Sequence, residues 1–253
     1  ITTSDVTAAG TLYLTPHGGN QISLYDGSVW RLYSSAQVSI SLAAITTGKP
    51  YDVFAEYTGG AVTLSLTAWT NDTTRATALT TQDGILVKTG DLPKRYVGTI
   101  YPSGAGTTED SAAKRYVWNY YNRILRRMQV TESTDSWTYT TATFRQANGN
   151  TANQLDFVIG VSEAPVSAQV QISMFNASNV EAIVGIGLDS TSVLATGFIG
   201  GRLNTTTTPL PSGICTWIGH PGIGRHYLAW LEYSDGTGSS TWYGDGGTPT
   251  RYQ

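Results

Sequence analysis

Apolar and polar residues alternate along much of this chain with a period of two. AVTLSLTAW (61–69) sets Val62, Leu64 and Leu66 on one side and Thr63, Ser65 and Thr67 on the other. AQVQISMF (168–175) sets Val170, Ile172 and Met174 against Gln169, Gln171 and Ser173, and SWTYTTATF (136–144) alternates with aromatics. Successive side chains of a strand point to opposite faces, so each run predicts a strand with one buried face. Turn chemistry separates the runs: YDGSV (25–29), YTGGAV (57–62), QDGIL (82–86) and YSDGTGSSTW (233–242) carry Asp-Gly or Gly-Gly. Those pairs accept the positive φ of tight hairpins. Many short strands joined this way predict an all-β chain of sandwich or barrel architecture.

One stretch breaks the pattern. Val117, Tyr120, Tyr121, Ile124, Leu125 and Met128 fall at helical spacing, and Thr108, Glu109, Asp110 and Ser111 before them suit a helix N-terminus. This predicts a helix over about 109–127. Tyr116-Val117-Trp118 and Tyr120-Tyr121 favour β structure instead, and a strand followed by a loop is the competing reading. A domain junction falls at its end. Residues 1–127 are read as a small β-rich domain closed by the helix, and residues 128–253 as a jelly-roll-like β-sandwich with one Thr/Pro-rich loop, LNTTTTPLPSG (203–213).

Composition narrows the function. Of 253 residues 40% are hydrophobic, enough for substantial cores, but only 13% are charged, about half the usual share. A net charge of −3 gives no global basic field for nucleic acid. No apolar run is long enough to span a bilayer as a helix, so no membrane insertion is expected. The first residue is Ile1 rather than Met, which leaves room for a preceding anchoring segment. A single cysteine, Cys215, excludes an internal disulfide and reads as a small buried apolar residue.

Candidate chemistry is sparse. His17, His220 and His226 lack ligand spacing, so no metal or other cofactor is expected, with a loose loop calcium near Asp72 or Asp235 as the alternative; His226 points to the same side of a strand as Leu228 and Trp230. There is no nucleophile elbow, phosphate loop or dinucleotide fingerprint, so no catalytic residues are assigned. Asp189, Glu232, Asp235 and Asp245 are the acids open to a glycosidase reading, and turn roles account for Asp235 and Asp245. Five of the 15 basic residues gather in Lys114, Arg115, Arg123, Arg126 and Arg127. With Tyr120 and Tyr121, the four arginines form a candidate interface, since guanidinium forks suit carboxylates and carbonyls of a neighbouring block or subunit. The 15 Tyr and 7 Trp supply a second set. Trp30, Tyr233 and Tyr243 stand beside turns, and with Trp242, whose strand pattern also suits a core, they are candidate glycan contacts.

Several stretches resemble virion structural proteins of tailed bacteriophages and prophages. They are TLYLTPHGGNQISLYDGSVWRLY (11–33), KPYDVFAEY (49–57), LSLTAWTNDTTRATALTTQDGILVKTG (64–90), KRYVGTIY (94–101), TEDSAAKRYVWNYYNR (108–123), DSWTYTTATFRQAN (135–148) and HYLAWLEYSDGTGSSTWYGDGG (226–247). The resemblance implies a fibre, spike or head-decoration module on the virion surface, commonly a homotrimer touching other virion proteins, and no catalytic residues. The expectation is therefore a non-enzymatic structural protein. The alternatives are a receptor-binding tip for host surface carbohydrate and, behind it, a glycan depolymerase.

Overall fold

The computed structural model describes residues 4–176, 181–204 and 212–245. The chain is built almost wholly of antiparallel strands and divides into two compact units. The first comprises residues 1–127, 157–161 and 222–225; the second holds the rest.

In the first unit one sheet runs in the order Ala61–Ala68, Tyr51–Thr58, Asp91–Ile100, Ile85–Lys88, Leu79–Gln82. Its hairpins turn where the sequence places Gly-Gly and Asp-Gly. Gly59 and Gly60 have φ of 60° and 85°, and Asp83 and Gly84 have 51° and 80°, the paired positive values of a type I′ turn. Alternation then sorts the side chains. Tyr51, Val53 and Ala55 join Val62, Val97 and Ile100 in a core closed by Leu24, Leu42 and Ile45. Leu24 lies on the hairpin formed by Gln21–Tyr25 with Trp30–Ser34, and Leu42 follows the strand Val38–Ser41, which pairs with Thr11–Leu14. Each such fully buried aliphatic contributes about 1.5–3 kcal/mol.

Asp52, on the opposite side of the same strand, is buried with polar company. Arg75 holds it with two bonds, Nε to Oδ2 at 2.7 Å and Nη2 to Oδ1 at 3.1 Å. Thr99 donates to Oδ1 at 2.8 Å, and its Oγ1 lies 2.6 Å from the Tyr96 hydroxyl. Arg75 Nη2 also donates to the Gly160 carbonyl at 2.6 Å, and the guanidinium lies 4.4 Å from the Trp69 ring centroid. Gly160 has no room for a side chain: a Cβ there would stand 2.0 Å from the Tyr96 hydroxyl oxygen.

The helix expected over about 109–127 is not formed. The stretch holds strands Thr107–Asp110, Lys114–Arg115 and Val117–Asn119, then runs without regular structure to residue 135. Ser111, read as a helix cap, closes a tight turn: its Oγ donates to Glu109 and accepts from the Lys114 amide. Val117–Asn119 pairs with Gly98–Ile100, and a Cβ at Gly98 would stand 2.4 Å from the Trp118 carbonyl oxygen. The glycine admits this strand, and β-favouring aromatic and branched residues fill it. The Asn119 side chain then accepts the amides of Tyr121 and Asn122, turning the chain out of the sheet.

The second unit has a sheet in the order Ser136–Tyr139, Ser240–Tyr243, Val166–Asn176, Ser212–Gly219, Ile199–Gly200. Ile172, Met174, Cys215, Trp217, Trp137 and Trp242 are among its buried residues. Glu181–Leu188, paired with Gly224–Ser234, supplies Val184 and Ile186 to the core. The predicted strand 136–144 is shorter in the structure, because the chain folds back after Tyr139 and the Tyr139 hydroxyl donates to the Thr143 carbonyl at 2.8 Å. Most of the Thr/Pro-rich loop, residues 205–211, lies outside the described residues.

Two buried carboxylates brace the turn at 147–153. Glu232 accepts from Trp137 Nε1 at 2.6 Å, Arg145 Nε at 2.7 Å and the Asn148 amide at 3.1 Å. Burial raises its pKa, and the Trp137 and Arg145 bonds pull the other way. Glu132 accepts from Asn150, Asn153 and the Thr134 amide. Burial would raise its pKa too, but the bonds from Asn150, Thr134 and Asn153 win and lower it from 4.5 to about 2. A depressed folded-state pKa stabilises above the ordinary value and is lost as pH falls through 4.5 toward 2. Glu132→Gln is therefore expected to cost about 1–2 kcal/mol at neutral pH, with the gap to wild type closing at low pH. Urea melts of both proteins at neutral and low pH check this.

Candidate functional site: the arginine and tyrosine segment

The candidate interface residues fall into two clusters, both within the first unit. In one, Asp110 sits between two guanidinium groups. Arg126 Nη1 meets its Oδ2 at 2.7 Å and Arg115 Nη1 its Oδ1 at 3.3 Å. Arg115 Nη2 also donates to the Arg127 carbonyl at 2.9 Å. Asp110 is buried on the strand Thr107–Asp110, so these bonds fasten residues 126–127 to the sheet.

In the other cluster, Tyr120 lies beside Trp118, Tyr96 and Tyr121, with ring centroids 6.0, 5.6 and 4.9 Å away. Arg123 donates through Nε to the Tyr120 carbonyl at 3.1 Å and stands over the Trp118 and Tyr120 rings at 5.0 and 4.6 Å. Arg95 donates to the Tyr121 hydroxyl at 2.9 Å and to the Ser23 carbonyl at 2.7 Å. The arginines thus find the carbonyls and carboxylates that sequence reasoning assigned them, but inside their own unit. Between the clusters Ile124 and Leu125 are left outside, and Leu125 is 101% exposed. Sequence reasoning placed both at helical spacing in the expected helix. Their exposure follows once the helix is gone.

The candidate glycan residues are divided between the two units. Trp30 lies in the first unit and Tyr233, Trp242 and Tyr243 in the second. Trp242 is fully buried and offers no face to a ligand, which corrects its assignment. Tyr233 is half-buried against Phe144, with centroids 5.0 Å apart, and Tyr243 is half-buried on the opposite side of its strand from Trp242. Trp30 is half-buried, tilted against Tyr25 at 5.5 Å, with its indole N–H on Asp83 at 3.0 Å.

Three of the four acids open to a glycosidase reading have their carboxylates engaged in structure, and Asp245 is held through its backbone. Asp235 accepts from the Glu181 amide and from Thr237, which lowers its pKa. Asp189 meets His226 Nδ1 at 2.7 Å and accepts the Tyr227 amide. Glu232 is enclosed as described, and the Asp245 amide donates to the Glu132 carbonyl at 2.8 Å. Cys215 is fully buried, with its thiol pushed up to about 11 by burial. Among the described residues no three metal-ligating side chains converge.

These features define an all-β chain of two units with an exposed strap on the first. No protein-family model matches it, and neither a curated protein nor a solved structure does.

Proposed function

We propose that the chain is a non-enzymatic structural protein of a bacteriophage virion, a fibre, spike or decoration module exposed on the particle and assembled as a homotrimer. One observation carries the reading furthest. Asp189, Glu232 and Asp235 are spent on intrachain bonds, while the Arg/Tyr strap holds Tyr121, Arg123, Ile124, Leu125 and Arg127 at the surface. A protein whose task is to be rigid and to bind copies of itself or neighbours uses its residues this way. Strand faces rich in Ser and Thr stay soluble with few charges, and linked copies turn weak contacts into firm attachment.

The test is protein composition. Particles produced from the genome that encodes the chain, purified on a density gradient, are expected to contain it at a fixed copy number divisible by three, measured by quantitative mass spectrometry. Its absence from such particles overturns the reading.

A second reading, a carbohydrate-recognising tip, draws on the Tyr25 and Trp30 pair, with Asp83 fixing the indole and Gln82 on the same carboxylate at 3.0 Å. Apolar ring faces beside polar groups suit sugars. A glycan array separates the readings, because a purely structural module gives no signal on it.

A further inference from the structure

We propose that Leu125 of one copy enters a cavity in the second unit of a neighbouring copy. This rests on the self-assembly reading above and names the contact that makes it.

A single exposed leucine is ordinary. Leu125 differs in how it is held. Arg123 is tied to the Tyr120 carbonyl on one side, and Arg126 to the buried Asp110 on the other. The two residues between them, Ile124 at 52% and Leu125 at 101% exposure, stand out from a pinned segment. A group presented in a fixed position loses little entropy on docking.

The receiving site lies in the second unit. Met128, Val130, Ala168, Val170, Ile186 and Leu228 line a cavity of about 120 Å³, together with five glutamine and asparagine residues. An apolar cavity of roughly 150 Å³ accepts benzene. The four-carbon side chain of leucine is smaller than that ring. Trp230 also lines the cavity, and its indole N–H is buried without an acceptor among the described residues. An incoming segment brings backbone carbonyls that supply one.

Charge selects a second copy as the occupant. The span 109–127, which includes the acids paired with Lys114, Arg115 and Arg126, holds five basic residues and two acidic ones, and the remaining residues carry ten basic against sixteen acidic. Each copy is thus a basic strap on an acidic body, and opposite charges bring strap to body. The strap and the cavity are different surfaces, so copies joined this way close as a reciprocal pair or a ring, or grow as a filament. A ring of three agrees with the proposed homotrimer.

The full chain is measured by size exclusion with light scattering at about 50 µM, where a contact of micromolar affinity is populated. The wild type is expected above the 27.1 kDa monomer mass, and Leu125→Asp and the cavity-filling Ala168→Phe at it. Leu125 is fully exposed, so Leu125→Asp keeps its fold, verified by an unchanged melting temperature. A mixture of differently tagged Leu125→Cys and Ala168→Cys chains is expected to form a mixed disulfide on oxidation. Variants that stay at wild-type mass, with no mixed disulfide, overturn this contact and leave assembly through another face standing. A wild-type monomer at that concentration overturns this contact and self-assembly together. Loss of the oligomer in the variants, alongside absence of the chain from particles, retains the contact and removes the virion role.

Discussion

Arg75→Ala is expected to destabilise the first unit by about 3–5 kcal/mol, the range for stripping one partner from a buried ion pair. Asp52 is 1% exposed, and the mutation leaves its carboxylate with Thr99 as its remaining side-chain donor. The Gly160 carbonyl loses a donor at the same time, and Trp69 loses the cation stacked on it. Arg75→Lys is expected to recover only part of the loss, because an ammonium cannot reproduce two parallel bonds to one carboxylate. Removing both charges, in Asp52→Ala with Arg75→Ala, is expected to cost less than the two single changes added together. Guanidinium melts of the four variants measure this, and additive single and double losses count against a coupled pair.

Trp242→Ala is expected to cost the second unit a comparable 3–5 kcal/mol, the range for emptying a large aromatic site. Trp242 is fully buried, and its cross-strand partners are Trp137 on one side and Met174 on the other. Tyr243→Ala, one residue on and half-exposed on the other face, is expected to cost less than about 1 kcal/mol. Thermal melts of the two variants give the contrast directly. Equal losses would mean that the strand does not sort these neighbours to opposite faces.

That pair shows what the sequence can and cannot tell. The period of two says that Trp242 and Tyr243 face opposite ways, so naming both as surface contacts contradicts the strand rule itself. Alternation does not say which of the two faces inward, because either side chain suits a core. The strands at 61–68 and 166–176 and the Gly-Gly and Asp-Gly turns were legible, since their signals are local. The helix was misread because spacing at 117–128 happens to match a helical stripe. The deciding partner, Gly98–Ile100, lies outside the window in which periodicity is counted. The same limit hid the candidate site. Arg126 reaches Asp110 across 16 positions, and Arg75 reaches Gly160 across 85. A basic cluster with few acids beside it reads as a surface patch until the chain is folded. Leu125 was read as one of the residues at helical spacing, and its exposure emerges only once that helix is replaced by irregular chain.

Electron microscopy of intact particles, labelled with a conformation-specific antibody against the folded chain, tests the central claim most directly. Labelling at regular positions on the particle surface is the expected result. Particles that carry no label before or after disruption would contradict it.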